Sequence, residues 1–288
     1  MNIAPAVEEL EPRPRAVAIG SFDGVHLGHQ RVLRTALDAD LTSTVVTFFP
    51  HPRTVLGNEV ELLTTLDRRL ELLAELGFAD ALVVEFTPEL SQQAADFFVE
   101  EVLRPIGTRI IAAGTGFRFG HQRRGDLELL RSRGFDVRPV PLVEGISSTH
   151  VRQLLRGGEV ERAGILLGRP HELEGVVVAG DARGGTLGYP TANLRVEPDL
   201  LVPAYGIYAG AADGNRAAVS IGVNPHYGGA ERRIEAFLLD FEGDLYGRQV
   251  RLELWQRLRE ERAFESEREL VEQIGRDVED ARRAVRPT

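Results

Sequence analysis

Gly20-Ser21-Phe22-Asp23-Gly24-Val25-His26-Leu27-Gly28-His29 is the stretch on which the reading of the fold turns. It follows a short apolar run, 16–20, and opens a helical pattern over 27–37. Gly20, Gly24 and Gly28 permit tight turns and a close approach of a ligand to the backbone. A helix start offers unpaired N–H groups and the positive end of the helix dipole, and together these attract phosphate. His26 and His29 are three residues apart, hence on one helical face. Two imidazoles so placed suit a phosphorus centre that gains negative charge in its transition state. Gly20, Phe22, Asp23, Gly24 and Gly28 are therefore candidate nucleotide-binding positions, with His26 and His29 as candidate catalytic groups. The plainer reading is a glycine-rich turn whose histidines only cap a helix. It loses ground because strand, glycines and helix start all fall in register.

Outward from this turn, apolar runs alternate with amphipathic segments. Strands are expected at 16–20, 44–49, 81–85, 109–113 and 136–140, with helices near 27–37, 67–76, 91–103 and 126–133. Leu66, Leu70, Leu73 and Leu76 recur at helical spacing and Gly77 follows as a stop. This alternation predicts an α/β fold with a doubly wound parallel sheet that binds ligands at the carboxyl ends of its strands. After residue 140 the pattern changes. Two short helices, 147–155 and 159–167, are split by Gly157 and Gly158. Short β runs at 174–179, 206–211, 217–221, 234–239 and 249–254 then predict a small antiparallel β-barrel. An acidic helix over 266–283 closes the chain, with Leu270, Ile274 and Val278 four residues apart. The boundary falls near 168–171, giving domains 1–168 and 169–288.

The 288 residues suffice for two such domains. Hydrophobic residues make up 43% and charged ones 27%, a globular balance. Cysteine is absent, so thiolate metal sites and disulfides play no part. The net charge of −10 argues against nucleic acid as a partner. Acids and prolines fill residues 1–15 where a signal peptide needs an apolar stretch, and no run reaches the roughly 18 apolar residues of a membrane span. A cytoplasmic enzyme with no membrane partner is expected.

A second segment, Ile146-Ser147-Ser148-Thr149-His150-Val151-Arg152, places three hydroxyls at another helix start with Arg152 one turn in. Hydroxyls there cap the helix, and with Arg152 they also suit the β- and γ-phosphates of a nucleotide. Ordinary capping plus a surface arginine is the competing reading. The GSFDGVHLGH turn paired with the distant ISSTHVR segment resembles the nucleotidylyltransferase superfamily. More narrowly, it resembles the FMN adenylyltransferase module of bacterial bifunctional riboflavin kinase/FAD synthetases. Thr47-Phe48-Phe49-Pro50-His51-Pro52, Phe117-Arg118-Phe119-Gly120 and Arg124-Gly125-Asp126 agree. The resemblance implies that His26 and His29 stabilise the α-phosphate of ATP while the FMN phosphate attacks it. It also implies that Ser147, Ser148, Thr149 and Arg152 hold the departing pyrophosphate. One position departs: where the family has Asn or Asp before the Phe-x-Phe-Gly run, this chain has Gly116.

The stretch 180–194, from Gly180 to Leu194, reads Gly-Asp-Ala-Arg-Gly-Gly-Thr-Leu-Gly-Tyr-Pro-Thr-Ala-Asn-Leu. Its backbone N–H groups suit an anion-binding concavity, so Gly180, Arg183 and Gly188 are candidate phosphate-binding positions, with Pro190, which has no N–H to give, counted beside them as part of the same segment. Thr191 and Asn193 lie two apart, so in an extended segment they share one side. Both carry neutral oxygens fit for Mg²⁺ that keeps most of its water and phosphate ligands. Further on, Glu235 is the one acid within Ile234-Glu235-Ala236-Phe237-Leu238-Leu239. If Phe237 and Leu239 share its face, the carboxylate points to the barrel side, placed to take a proton from a substrate hydroxyl. The competing reading is an exposed acid paired with Arg232 or Arg233. These motifs, with Gly243-Asp244-Leu245-Tyr246-Gly247 after them, resemble the riboflavin kinase module. The resemblance implies Thr191 and Asn193 as metal and ATP ligands and Glu235 as base for the ribityl 5′-hydroxyl of riboflavin. The family's second Arg of its RGR run is Gly185 here, and its Thr after Asn-Pro is His226. The whole therefore predicts a bifunctional enzyme that uses ATP and Mg²⁺ to make FMN and then FAD. The alternatives are a kinase with an impaired adenylyltransferase and a flavin-binding protein without turnover.

Overall fold

The computed structural model describes residues 1–180, 189–223 and 232–287. The chain divides into two compact units, Met1–Ser147 and Ser148–Thr288. In the first, strands β1 (Asn2–Ala4), β2 (Arg15–Ile19), β3 (Thr42–Phe49), β4 (Asp80–Glu85), β5 (Thr108–Gly114) and β6 (Asp136–Val140) form one sheet. Their order is β1-β4-β3-β2-β5-β6 and every pair runs parallel. Helices α1 (Leu27–Leu37), α2 (Pro52–Val55), α3 (Leu66–Glu75), α4 (Pro88–Ser91), α5 (Ala95–Phe98) and α6 (Leu127–Ser132) connect the strands. Both faces of the sheet are covered, which explains why all five residues of β2 are buried. Ala18, Val45, Ala81 and Ala112 pack with Leu33 of α1 and with Leu70 and Leu73 of α3. Val17, Ile19, Ile111 and Ala113 pack on the other side with Phe98, Val102, Leu103 and Leu130.

The doubly wound parallel sheet expected from the sequence is present, with differences in detail. β1 adds a sixth strand, only three residues long, at one edge. The helix expected at 91–103 is instead three pieces: α4, α5 and a π-helical turn over Val99–Leu103. The opposite edge strand, β6, carries the exposed Pro139, which pairs in register with Ala113. The chain turns back between β2 and β5, so the crevice of the sheet opens at the carboxyl ends of those two strands. The 20–29 turn leaves one of them, and the segment with Gly116 leaves the other.

In the second unit α7 (Ser148–Arg156) and α8 (Val160–Leu167) precede a closed antiparallel barrel. Its strands are β7 (His171–Val178), β8 (Ala192–Val196), β9 (Gly206–Ala212), β10 (Asn215–Val223), β11 (Arg232–Leu238) and β12 (Gln249–Arg259), ordered β10-β11-β8-β7-β12-β9. Leu173, Val177, Leu194, Val219, Ile221, Ile234 and Leu252 are buried at alternate positions and fill it. The terminal helix α9 (Glu267–Arg283) lies on the outer surface of β9, β10 and β12, where Ala281 and Ala284 join Ala209, Ala211 and Trp255. The guanidinium of Arg259 clasps the buried Asp277 carboxylate at 2.7–3.1 Å. Arg216 donates to the carbonyls of Ala281, Arg282 and Ala284 at the end of the helix. The predicted barrel and terminal helix are both present, and β8, within the Pro-Thr-Ala-Asn segment, is a strand the sequence pattern did not reveal.

Candidate active sites

The 20–29 turn is held by its own side chains. Phe22 is buried against Gly20, where a Cβ would meet its ring at 3.0 Å, and its ring edge faces His29 at 5.4 Å between centroids. Gly28 leaves the space that the His26 ring occupies, since a Cβ there would lie 3.1 Å from that imidazole. His26 caps α1: its Nδ1 accepts the His29 N–H at 3.2 Å. An acceptor Nδ1 leaves the proton of a neutral ring on Nε2, so His26 presents a donor on its other side. The two imidazoles stack at 3.6 Å between centroids with 18° between planes. Backbone at positive φ, 49° at Phe22 and 42° at Val25, is uncommon for such residues and is a form of strain found at working sites.

Asp23 is turned inward. Its carboxylate is 2% exposed and accepts the N–H groups of Leu63 at 2.9 Å and Thr64 at 3.2 Å. Arg69 stands 3.9 Å away, and Thr64 Oγ1 takes the Gly24 N–H at 3.2 Å. These contacts fasten the turn to the loop before α3, and they involve partners 40 residues distant that no local motif announces. Thr47 likewise donates to the Ser21 carbonyl. At the end of β5, Phe117 and Phe119 stack at 5.5 Å, and Phe119 bridges Gly125. A Cβ on Gly116 would meet nothing within 4 Å. Ser147 ends the first compact unit, while Ser148, Thr149 and Arg152 lie on α7 in the second. Thr149 is exposed, and Arg152 is largely buried at 8% exposure.

In the barrel, Glu235 on β11 lies directly opposite Asn193 on β8 and Ser220 on β10. Ile234, Ala236 and Leu238 are the buried positions of β11, so Glu235 and Phe237 share the outer face of the barrel. The expectation that the carboxylate points to the barrel side is thus corrected: the interior is closed by aliphatic packing, and the acid stands outside it. Leu239 falls beyond the strand. Arg233 reaches Glu235 at 3.4 Å, while Arg232 turns away to the Val202 carbonyl and the Tyr205 ring. The Asn193 carboxamide rests on Gly180, where a Cβ would fall 2.2 Å from its Nδ2.

Beside this row, Pro190, Thr191 and Phe237 line a cavity of about 730 Å³ that extends to Asp240, Phe241 and Tyr246. Tyr189 meets Phe237 edge-on at 5.3 Å, and its hydroxyl approaches Gly275 of α9. Gly180, Thr191, Asn193 and Glu235 are therefore brought to one side of the barrel. Arg183, Gly188, Gly185 and His226 lie outside the described residues. Among the described residues no group of three or more His, Asp or Glu side chains is arranged to hold a metal.

A family model described as FAD synthetase matches residues 8–151, and one described as riboflavin kinase matches residues 167–285. A bifunctional riboflavin kinase/FMN adenylyltransferase of Bacillus subtilis is 34% identical, over 94% of this chain and 92% of its own. The protein of that name from Escherichia coli K12 is also 34% identical, over 98% and 97%. A crystal structure described as a macrolide-efflux protein from Streptococcus pneumoniae superposes with a TM-score of 0.89 at 32% identity, covering 98% of this chain and 99% of its own. Among the described residues of this chain, no helix is long and apolar enough to cross a membrane. Two family models in this order, and relatives matched nearly end to end, show that the chain belongs to the bifunctional riboflavin kinase/FMN adenylyltransferase family.

Proposed function

We propose that Glu235 is the base of the riboflavin kinase reaction and that His26 and His29 serve FMN adenylylation. Family membership makes the chain an ATP-using enzyme that converts riboflavin to FMN, and FMN to FAD with release of pyrophosphate. The observation that carries the residue assignment is the cross-strand pairing of Glu235 with Asn193. In the first reaction the ribityl 5′-hydroxyl attacks the γ-phosphorus of ATP, Glu235 takes its proton, and ADP leaves. Thr191 and Asn193 would hold Mg²⁺ with the nucleotide. The fit rests on their neutral oxygens and on the cradle over Gly180 that any Cβ would fill. When bound, the ion offsets the charge of the β- and γ-phosphates.

In the second reaction an FMN phosphate oxygen attacks the α-phosphorus of ATP and pyrophosphate departs. His26 donates from Nε2 to the phosphoryl oxygens as charge builds there, with His29 beside it. Ser147, Ser148, Thr149 and Arg152 neutralise the leaving pyrophosphate. Glycine 20, 24 and 28 give the nucleotide room, Phe22 props His29, and Asp23 holds the turn open through Leu63 and Thr64. Gly180, Arg183, Gly188 and Pro190 are assigned to the kinase nucleotide. The functional boundary is placed at 168/169, so α7 and α8 serve adenylylation although they pack within the second compact unit. The acidic composition suits a cytoplasmic enzyme without nucleic-acid or membrane partners.

A kinase with weakened adenylylation is the second reading, favoured by the open space at Gly116 where the family places a polar side chain. Incubation with riboflavin, ATP and Mg²⁺, followed by chromatography over time, separates the two. FMN followed by FAD is expected. FMN without FAD, even when FMN and ATP are supplied directly, overturns the bifunctional reading. No product at all leaves flavin binding without turnover.

A further inference from the structure

The α8 helix packs on strands β12 and β7, and one polar tie of the α7–α8 pair to the barrel uses a residue of β12 that takes no part in either set of site residues. Strand β12 pairs with β9 through two register shifts, between Leu254 and Gln256 and between Arg257 and Arg259. Bulges of this kind leave backbone groups outside the ladder and re-aim side chains. Arg257 sits between the two shifts. Its N–H donates to the Glu161 carboxylate of α8 at 3.2 Å. Its guanidinium crosses the α7–α8 turn and donates to the Tyr205 carbonyl at 2.6 Å. Gly158, in that turn at φ +77°, makes the crossing possible, because a Cβ would lie 2.9 Å from Arg257 Cδ and Nε. A second tie joins the Leu155 carbonyl, in the last turn of α7, to the Ala204 N–H at 3.0 Å.

We propose that Glu161 and Arg257 are positioning residues for adenylyl transfer, a strut by which a strand of the kinase barrel fixes α7 and so the pose of Ser148, Thr149 and Arg152. This rests on the reading of α7 as the pyrophosphate holder. Two ties, one on α7 through the Leu155 carbonyl and one on α8 through Glu161, hold the pair against the barrel, and a positioning error of about 1 Å at a reacting group costs on the order of 10²-fold in rate.

The strut is tested in the full chain by measuring both activities separately, each with its own KM for ATP. Glu161→Ala is expected to raise the adenylylation KM for ATP about tenfold and lower its kcat, with kinase parameters unchanged within twofold. Glu161→Gln keeps an oxygen that accepts the Arg257 N–H and is expected to restore adenylylation. Gly158→Ala, which pushes on Arg257 from the other side, should reproduce the Glu161→Ala pattern. Unchanged adenylylation in both Glu161→Ala and Gly158→Ala overturns the proposal. A parallel loss of both activities also overturns it, since that marks general loosening of the barrel. Arg152→Ala separates the two levels. If it leaves adenylylation intact, the reading of α7 is wrong. If it impairs adenylylation while Glu161→Ala does not, only the strut fails.

Discussion

On the proposed assignments, the turn after β2 and the outer face of the barrel solve one problem, holding a triphosphate against a reactive group, by opposite means. In the turn, the parts that fit together are close in sequence: Phe22 over Gly20, and the His26 ring over Gly28. In the barrel they come from distant strands, with Asn193 of β8 resting on Gly180 and standing opposite Glu235 of β11. The first arrangement is local and is anchored afterwards by Asp23. The second exists only once the barrel is closed and in register, because a one-residue slip would send Glu235 into the interior. Damage to the turn should therefore remain local, whereas damage to the barrel register should remove the whole kinase site.

The sharpest way to break this contrast is Glu235→Gln, which keeps size and register while removing the base. Phosphorylation of riboflavin should fall about 10²–10⁴-fold with FMN adenylylation intact, as product chromatography would report. His29→Ala should do the reverse, lowering FAD formation about 10²–10³-fold and sparing FMN formation. A smaller effect, but one that probes the interstrand fit, comes from Gly180→Ala. Displacing the Asn193 carboxamide should raise the Mg²⁺ concentration for half-maximal kinase activity roughly tenfold. Gly116→Asn enters open space and should raise the kcat/KM of adenylylation severalfold without shifting the melting temperature.

A last probe, on stability rather than rate, addresses the barrel by pH. Burial lowers the pKa of His171, the first residue of β7, from 6.5 to about 4, outweighing the favourable contact with the Leu201 backbone. The unfolded chain then takes up a proton that the folded barrel refuses. The stability carried by neutral His171 is full above pH 6.5 and is lost as pH falls toward 4, on the order of 3 kcal/mol in all. Calorimetry across this range should show the barrel transition moving down, and His171→Gln should flatten that slope.

How much of this could be read from the sequence follows the same contrast. The local structure of the turn was legible because its strand, glycines and helix cap lie close together, and the alternation of apolar runs with helical segments announced a doubly wound sheet. Thr191, Asn193 and Glu235 could be proposed from their chemistry, but their arrangement could not. The Glu235–Asn193 pairing spans some forty residues, and the outer position of Glu235 follows from which strand neighbours which. Local periodicity does not encode that. Asp23 illustrates the gap most plainly: in sequence it sits among glycines expected to approach phosphate, while in the fold it accepts the amides of Leu63 and Thr64. The bulges of β12 that free the Arg257 N–H left no composition signal either.

The edges of the two units carry a consequence for self-association. A row of unpaired strand N–H and C=O groups is a template on which another copy of a chain can add a strand. The barrel presents no such row, since β10 and β9 close its ladder. The open sheet does have two ends, and it blunts both. β1 offers three residues, too few to seed a long ladder, and Pro139 in β6 removes a donor where an incoming strand would need one. Replacing Pro139 with a β-branched residue would thus supply the missing donor without touching the proposed site residues, turning a blunted edge into a nucleus for polymerisation during folding.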